Sequence, residues 1–438
     1  MKKKEKNGTN EKRESLSSSE LVKKLRDYFN TEPQRIKVLS QEDFNAAGDT
    51  YYASVSASYK VAQRILIILL VFFIVISVIA NFNEITYDNF HYLIKDFTSA
   101  SDAGNNTYTT LSYESDSRQN FVLFRGGIAT VSPSKISIFT ATGRRTLNET
   151  SDFSSPFAVS SNRYVLFYDT AGTTFSMYNS FARVYSETLD NPVKCASIAD
   201  DGSFAVVTKS AKGTWTTRIY TKNFKLKAIV PAKNGSYIFG VDLNSNTEKL
   251  SVLSYDAGNG TGRTTLSVYD LSNMKQSKGN EISLEHTFTY DSEFPIVCGY
   301  TSNDTFAVVT DSYIRIYDDS FNEKDQTVDY SNGNLTGYSL SSDGVAVSVM
   351  RSSGSALFAF DNRGNMVYDA NELYNVLDLG VYGDHIFMQT DQGVVRVNTL
   401  NGEKQELASG NGKMLIYNEK TVLICGETKA EYLVFNND

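Results

Sequence analysis

The feature of this chain that most constrains its fold is an internal repeat. The segment FAVVTKS at 204–210 returns as FAVVTDS at 306–312, and RIYTKNF at 218–224 returns as RIYDDSF at 315–321. Two matched pairs in the same order indicate a duplicated unit. Similar apolar, alternating runs recur at intervals of 36 to 56 residues, with these residues as markers: Ile128, Tyr164, Phe204, Leu250, Phe306, Val345, Ile386 and Val422.

Each repeat of about forty residues contains four strand-like pieces. In the repeat that starts at Val193 these are VKCASIA, SFAVVTK, TTRIYT and KLKAIV. A turn joins the third piece to the fourth, with a polar residue early that can cap the turn and Gly, Asn or Phe later. This pattern predicts an all-β fold, a β-propeller of about eight four-stranded blades. Seven blades are the alternative if the irregular unit near 236–285 is miscounted.

The first piece of each repeat carries small residues, among them Gly240 and Gly380. Innermost strands converge near the axis of a propeller, where bulky side chains would collide. The last repeat, 413–435, supplies only three strands, and YTTLSYE at 108–114 can supply its fourth. We therefore expect the two ends of the propeller domain, 107–438, to meet in one blade and leave no open edge.

Composition and charge narrow the partners. The chain has 27 Tyr and 26 Phe but 6 Pro, which suits many strands. Its net charge of −8 is uneven, because Lys and Arg exceed Asp and Glu only in residues 1–82. An acidic main domain argues against nucleic acid as a partner, since phosphates would be repelled.

A membrane segment is predicted ahead of the repeats. ILIILLVFFIVISVIA at 65–80 is interrupted only by Ser77. As a helix, 61–82 would be about 33 Å long, enough for a hydrocarbon core of roughly 30 Å. Lys60 and Arg64 flank its N-terminal side, so the positive-inside rule places the N-terminus in the cytoplasm and the rest outside. A cleaved signal peptide is the rival, but its leader would far exceed the usual 15–30 residues. We expect an uncleaved single-pass anchor in the cell membrane.

Two short regions flank this anchor. Residues 1–60 are polar and too short for a sizeable core, which predicts a largely disordered cytoplasmic tail. Within it, 18–29 has an amphipathic helical pattern that could dock a partner or the inner leaflet, or form only a transient helix. Residues 83–106 are predicted as a juxtamembrane helix and linker.

The sequence supports no catalytic, metal-binding or cofactor-binding assignment. Three His and three Cys occur without CxxC or HxxxH spacing, and no P-loop, dinucleotide fingerprint or GxSxG elbow is present. Cys195, Cys298 and Cys425 fall on predicted strands of three different blades. We interpret them as unpaired, buried core residues.

Three residues are candidates for partner binding. Trp215, the single tryptophan, is predicted in the loop between the second and third strands of its blade, where it could anchor a partner or pack within the hairpin. Asn259 and Arg263 lie in the excursion DAGNGTGR. Loop rims of propellers bind partners, and we assign the longest excursions to one rim. They are 256–263, 272–281 and 289–294.

The chain resembles an uncharacterised family of single-span, membrane-anchored proteins of Gram-positive, largely clostridial bacteria. The resemblance lies in the anchor followed by ITYDNFHYLIKDF at 85–97, in LFYDTAGTTFSMYN at 166–179 and in ADDGSFAVVT at 199–208, and it covers roughly residues 60–438. It implies an extracytoplasmic, propeller-like domain of unknown function, and no reaction.

Two classes of function follow. The first is a membrane-tethered binding or scaffolding module whose partner is an envelope protein or glycan. The second is a propeller enzyme that acts on cell-surface glycans through carboxylates converging at the axis. The predicted inner strands offer mostly small and apolar residues, which favours the binding module and a non-enzymatic role.

Overall fold

The structure is a computed structural model. It describes residues 59, 61–76 and 110–436, except 117, 234, 247, 258–261, 273–281, 303, 325, 326, 353 and 373. Residues 61–76 form a helix. In the described part of the chain, thirty-two strands form eight four-stranded sheets.

The eight sheets are the blades, numbered along the chain. Blade 1 contains β2 to β5: Asn120–Phe124, Gly127–Val131, Lys135–Phe139 and Arg145–Thr150. Blade 2 contains β6 to β9: Pro156–Ser160, Val165–Asp169, Thr174–Tyr178 and Arg183–Thr188. Blade 3 contains β10 to β13: Val193–Ile198, Phe204–Lys209, Trp215–Tyr220 and Leu226–Pro231. Blade 4 contains β14 to β17: Ser236–Asn244, Lys249–Asp256, Arg263–Asp270 and Ser283–Tyr290.

The second half continues the same order. Blade 5 contains β18 to β21: Pro295–Ser302, Thr305–Thr310, Tyr313–Asp318 and Val328–Asp329. Blade 6 contains β22 to β25: Asn334–Ser341, Gly344–Arg351, Gly354–Asp361 and Met366–Glu372. Blade 7 contains β26 to β29: Val376–Tyr382, His385–Thr390, Gly393–Asn398 and Lys404–Ala408. Blade 8 contains β30 to β32 and β1: Lys413–Asn418, Thr421–Cys425, Lys429–Val434 and Leu111–Ser112.

The blades close into a ring. Neighbouring strands within each blade are antiparallel, and blades 1 to 7 follow chain order from the innermost strand to the outermost. The innermost strand of each blade contacts that of the next, and β30 contacts β2. The prediction of about eight four-stranded blades is therefore confirmed, and the alternative of seven is excluded.

Blade 8 joins the two ends of the ring, as predicted. Strand β1 pairs antiparallel with β32, with Leu111 opposite Ala430. The Tyr113 hydroxyl donates a hydrogen bond of 2.8 Å to the carbonyl of Gly426. Leu111 is fully buried, in a cluster that includes Phe139 of blade 1. The first described strand thus covers the last blade and packs against its neighbour.

The hydrophobic core lies in layers between adjacent blades. Ala307 of blade 5 shares a cluster with Phe358 of blade 6, while Ala346 of blade 6 faces the other way and shares a cluster with Val395 of blade 7. Alternate residues of one strand therefore pack against different neighbours, since successive side chains of a strand point to opposite faces. Each blade depends on both of its neighbours for burial.

The turn between the third and fourth strands has the predicted chemistry. In blade 5, the Asp318 carboxylate accepts a 2.8 Å hydrogen bond from the Asn322 backbone N–H. The fourth turn residue has positive φ, 79° at Gly364 and 59° at Phe321. A phenylalanine is strained in this region. The buried Phe321 ring packs near Phe288 of blade 4, so inter-blade packing offsets the strain.

Small residues on the innermost strands are required by the next blade. A Cβ atom on Gly337 would lie 2.8 Å from Cδ2 of Leu379, and one on Gly380 would lie 2.3 Å from Cδ1 of Ile416.

Five consecutive blades also have a β-bulge near the start of the innermost strand. The extra residues are Lys194, Phe239, Ile296, Thr336 and Leu377.

Several predictions fall wholly or partly outside the described residues. They are the tail 1–60 with its helix near 18–29, the end of the predicted span 61–82, and the region 83–106. Among the described residues, no helix has both the length and the apolar character needed to cross a membrane.

Candidate functional site

Trp215 is a strand residue and not the loop residue that the sequence suggested. It is the first residue of β12, paired with Lys209, and its side chain is 9% exposed. The indole packs edge-on against Tyr237 of blade 4, with centroids 6.0 Å apart. The Lys209 ammonium lies 5.5 Å from the indole centroid and 5.8 Å from the Tyr237 ring. Burial against blade 4 explains its position, and a binding role for Trp215 stays a prediction.

Arg263 is exposed and begins β16, opposite Asp256 in the sheet register. Its Nε atom lies 2.8 Å from Oδ1 of Asp291, so the guanidinium ties the start of β16 to the loop after β17. Asn259 lies outside the described residues.

The three excursions do not share one rim. The connection 256–263 joins β15 to β16, while 272–281 joins β16 to β17. Successive connections in an antiparallel sheet lie at opposite ends of its strands, so the assignment of 272–281 to the same rim was wrong. The third excursion, 289–294, follows β17 and therefore lies at the same end of the strands as 256–263. The Arg263–Asp291 ion pair is consistent with this placement.

An aromatic surface covers the end of blade 4 where the connection 256–263 lies. It consists of Trp215, Tyr237, Phe239, Tyr255 and Phe294. Tyr237 and Tyr255 are register partners, and Phe294 contacts both Phe239 (5.4 Å, stacked) and Tyr255 (6.2 Å). Tyr237 is 46% exposed and Phe294 is 42% exposed. Sequence reasoning missed both residues, although Phe294 ends the excursion TYDSEF.

The exposed Phe294 ring is held by a rigid backbone. The Phe294 N–H donates to the Asp311 carboxylate at 2.9 Å, and the Asp311 N–H donates to the Phe294 carbonyl at 3.0 Å. The preceding residue, Glu293, accepts hydrogen bonds from Arg315 and Thr310. Burial alone would lower the pKa of Arg315, but its hydrogen bonds to Glu293 and Glu323 raise that pKa above its usual range. These bonds fix the backbone of the loop that carries the exposed ring.

Three described carboxylates, those of Asp200, Asp343 and Asp378, line the central channel. Asp200 accepts a bond from Asn162 of the preceding blade, and Asp378 pairs with Lys413 of the next at 3.3 Å. Burial raises the pKa of Asp343, and the nearby Gly383 N–H of the next blade opposes this shift. These groups link neighbouring blades, which is a structural use of the acidic side chains.

Asp242 makes the most extensive of these links. Its carboxylate accepts hydrogen bonds from the Ser197 hydroxyl of blade 3 (3.2 Å) and the Tyr300 N–H of blade 5 (3.1 Å). The side chain keeps some solvent contact at the channel mouth, but protein surrounds it. Burial raises its pKa, against the lowering effect of these hydrogen bonds.

The central channel contains a cavity of about 970 Å³. Its wall combines aliphatic, tyrosine and charged side chains from the innermost strands, so the channel is neither filled nor uniformly polar. Representative lining residues are Leu123, Leu379, Ile416, Tyr338, Tyr382 and Lys413.

Over the described residues, no three His, Cys, Asp or Glu side chains come together as a metal site. Cys298 and Cys425 are buried, Cys195 is partly buried, and all three thiols are free. Burial raises the pKa of Cys195 and of Cys425 to about 12, so neither thiol is activated.

Comparison with solved structures supports the architecture. Sqt1 of Saccharomyces cerevisiae is similar with a TM-score of 0.52 at 11% identity, over 76% of this chain and 100% of that one. BamB of Moraxella catarrhalis has a TM-score of 0.44 at 13% identity, over 64% and 83%. The Pan2 WD40 domain of Neurospora crassa has a TM-score of 0.42 at 9% identity, over 64% and 89%. At these identities the likeness to Sqt1 shows the fold alone.

Sequence comparison gives a family and no function. No curated protein matches the chain. A family model described as "Family of unknown function (DUF5711)" matches residues 102–435, which is the whole of the described propeller apart from its last residue. The chain therefore belongs to the DUF5711 family.

Proposed function

We propose that the propeller is a protein-binding module and that the aromatic surface of blade 4 is where its partner docks. The observation that carries this proposal is the exposure of Tyr237 and Phe294 on a rigid frame. Both rings remain over 40% exposed although each contacts other aromatic side chains. Aromatic residues are enriched among the residues that dominate binding energy, and a partner gains most from groups already fixed in place.

The charges beside this surface suit a protein partner. Arg263 and Asp291 form an exposed ion pair at one margin, and Lys209 lies over the rings of Trp215 and Tyr237. An apolar centre with a charged rim is the usual arrangement of a protein interface.

A membrane tether is part of the proposal. Residues 61–82 would anchor the protein in the membrane of a Gram-positive cell, with the N-terminus cytoplasmic and 83–438 extracytoplasmic. In support, apolar side chains of helix 61–76 are exposed, among them Leu66 and Phe73. Exposed apolar side chains on a helix are stable in lipid and costly in water.

Protease treatment of intact cells tests the tether. The propeller should be digested while the N-terminal tail is spared. Full protection of the chain would contradict the orientation, and release of an intact propeller into the medium would indicate cleavage.

The docking surface is tested by crosslinking in cells, followed by pull-down with parent and variant proteins. Phe294→Ala should weaken capture of a specific partner about thirtyfold, equivalent to about 2 kcal/mol. Phe157→Ala on blade 2 is the matched control, since its ring is 43% exposed and lies away from blade 4. Equal capture by both variants would exclude this surface.

The alternative of a glycan-cleaving enzyme has less support. Such an enzyme needs carboxylates free to act as acid and base or nucleophile. Asp200, Asp242 and Asp378 instead pair with groups of neighbouring blades.

A further inference from the structure

A second surface of blade 4, the face toward blade 3, lines a cleft of about 360 Å³. Blade 3 contributes the end of β13 from Val230, and blade 4 contributes side chains from all four of its strands. The cleft falls within the range of about 300–1,000 Å³ that is usual for ligand pockets. We call it the hydroxyl cleft.

The sheet register arranges its floor as rows. Ser254, Thr265 and Thr289 form one row across β15, β16 and β17. The next row on the same face, two residues further along β16, contains Ser267 and Thr287, again as register partners. Five hydroxyl groups therefore lie side by side on one face of the sheet, because residues two apart in a strand share a face.

These hydroxyls remain accessible. Thr287 and Thr289 are exposed, and Thr265 is partly exposed. Within the described part of the chain, the Oγ1 atoms of these three threonines have no hydrogen-bond partner. Each hydroxyl can donate one hydrogen bond and accept others. The three threonine hydroxyls can therefore both donate hydrogen bonds to a ligand and accept them from it.

The charged groups at the edge of the cleft neutralise one another. Lys233 lies 3.5 Å from Asp256, and Arg263 lies 2.8 Å from Asp291. At the base, Tyr269 and Leu284 supply aromatic and aliphatic surface. A charged ligand would find no unpaired counter-ion among these four residues, whereas a neutral ligand with many hydroxyls and an apolar face would match the lining.

We propose that the hydroxyl cleft binds a neutral saccharide. The sugar hydroxyls exchange hydrogen bonds with Thr265, Thr287 and Thr289, and the apolar C–H face of a ring packs against Tyr269 and Leu284. The cleft borders the aromatic surface at the Arg263–Asp291 ion pair, but none of its hydroxyl-bearing residues belongs to that surface, and the proposal does not depend on a protein docking there.

The test uses the full chain in a detergent without a sugar head group, so that the detergent cannot occupy the cleft. The probes are cellotetraose, maltotetraose and chitotetraose, with tetragalacturonate as the charged comparison. Binding is followed by saturation-transfer NMR and calorimetry. At least one neutral probe should bind more tightly than tetragalacturonate.

Variants then locate the site. Thr265→Val and Thr287→Val keep the side-chain shape, remove a hydroxyl and should each weaken binding about five- to tenfold. Thr265→Ser keeps the hydroxyl and should retain binding. Thr188→Val, on the outermost strand of blade 2, is the control and should have no effect. Failure of all three neutral probes, preference for tetragalacturonate, or affinity unchanged by both valine variants would each overturn the proposal.

Discussion

Blade 4 is built from one stretch of chain, 236–290, with strands of eight or nine residues, whereas blade 8 joins three strands at the end of the ring to the two-residue β1 at its start. Blade 8 closes the ring, and its short outer strand is fixed by the buried Leu111 side chain. Blade 4 is already continuous, so its extra length can form surfaces beyond what closure needs. The aromatic surface and the hydroxyl cleft both lie there.

The two blades also differ at one equivalent position of the innermost strand. In blade 4, Leu250 of the second strand pairs with Leu243, and Asp242 comes directly before Leu243. In blade 8, Val422 of the second strand pairs with Ile416, and Leu415 comes directly before Ile416. Leu415 packs in the apolar layer toward blade 1, while Asp242 hydrogen-bonds to blades 3 and 5. One position of the repeat can thus be satisfied by burial or by hydrogen bonds.

The largest effect is expected from removing β1. Deletion of 110–114 should expose the edge of β32 and abolish cooperative unfolding of the whole ring, because each blade relies on its neighbours for burial. Thermal unfolding followed by far-UV circular dichroism measures this. Deletion of 258–261, in a connection of blade 4, is the control and should shift the midpoint by only a few degrees. A β1 deletion that still melts cooperatively near the parent temperature would show that closure is dispensable.

A smaller effect follows from single leucines of the two blades. Leu111→Ala should lower the free energy of unfolding by about 3 kcal/mol, because it removes a fully buried side chain and leaves a cavity. Leu284→Ala on blade 4 should lower it by less than about 0.5 kcal/mol, since that side chain is 53% exposed. Urea unfolding of both variants gives the two values. Equal losses would remove the distinction between a closing blade and a surface-bearing blade.

The ring was predictable from sequence because it depends on local periodicity. Alternating apolar runs of about forty-residue spacing define the second strands, and the missing fourth strand of the last repeat pointed to 108–114. The marker Tyr164 was one residue early, because β7 begins at Val165. The placement of 272–281 could have been corrected from sequence, since strand order alone puts successive connections at opposite ends of the strands.

The candidate site was less predictable. Trp215 lies at the boundary of a loop and a strand, and its burial depends on Tyr237 of the next blade. With 27 Tyr and 26 Phe in the chain, nothing local marks Tyr237 and Phe294 as exposed. The hydroxyl cleft depends on the register of three strands, and no sequence period reports which threonines become neighbours across them.

The smallest expected effect concerns Asp242, whose counterpart in blade 8 is uncharged. Burial raises the pKa of this carboxyl in the folded protein above its value of about 3.9 in an unfolded chain. Folding therefore favours the protonated form, and the stability that this group contributes is present below about pH 3.9 and is lost as pH rises through the folded-state pKa.

Asp242→Asn keeps an amide oxygen that can accept a hydrogen bond, but its side chain cannot ionise. The stability that the parent loses at this position as pH rises should therefore not be lost in the variant. The free energy of unfolding of the parent, minus that of Asp242→Asn, should fall as pH rises above about 4 and become constant above the folded-state pKa. Urea unfolding between about pH 2.5 and pH 8 measures the difference for both variants, since the contribution of Asp318 is lost only below about pH 3.9. Asp318→Asn is the control with the opposite sign, because hydrogen bonds from Asn322 lower the pKa of Asp318 and its contribution is lost as pH falls. A parent that gains stability over Asp242→Asn with rising pH would show that the hydrogen bonds from Ser197 and Tyr300 outweigh burial. The charged form would then be what joins blades 3, 4 and 5.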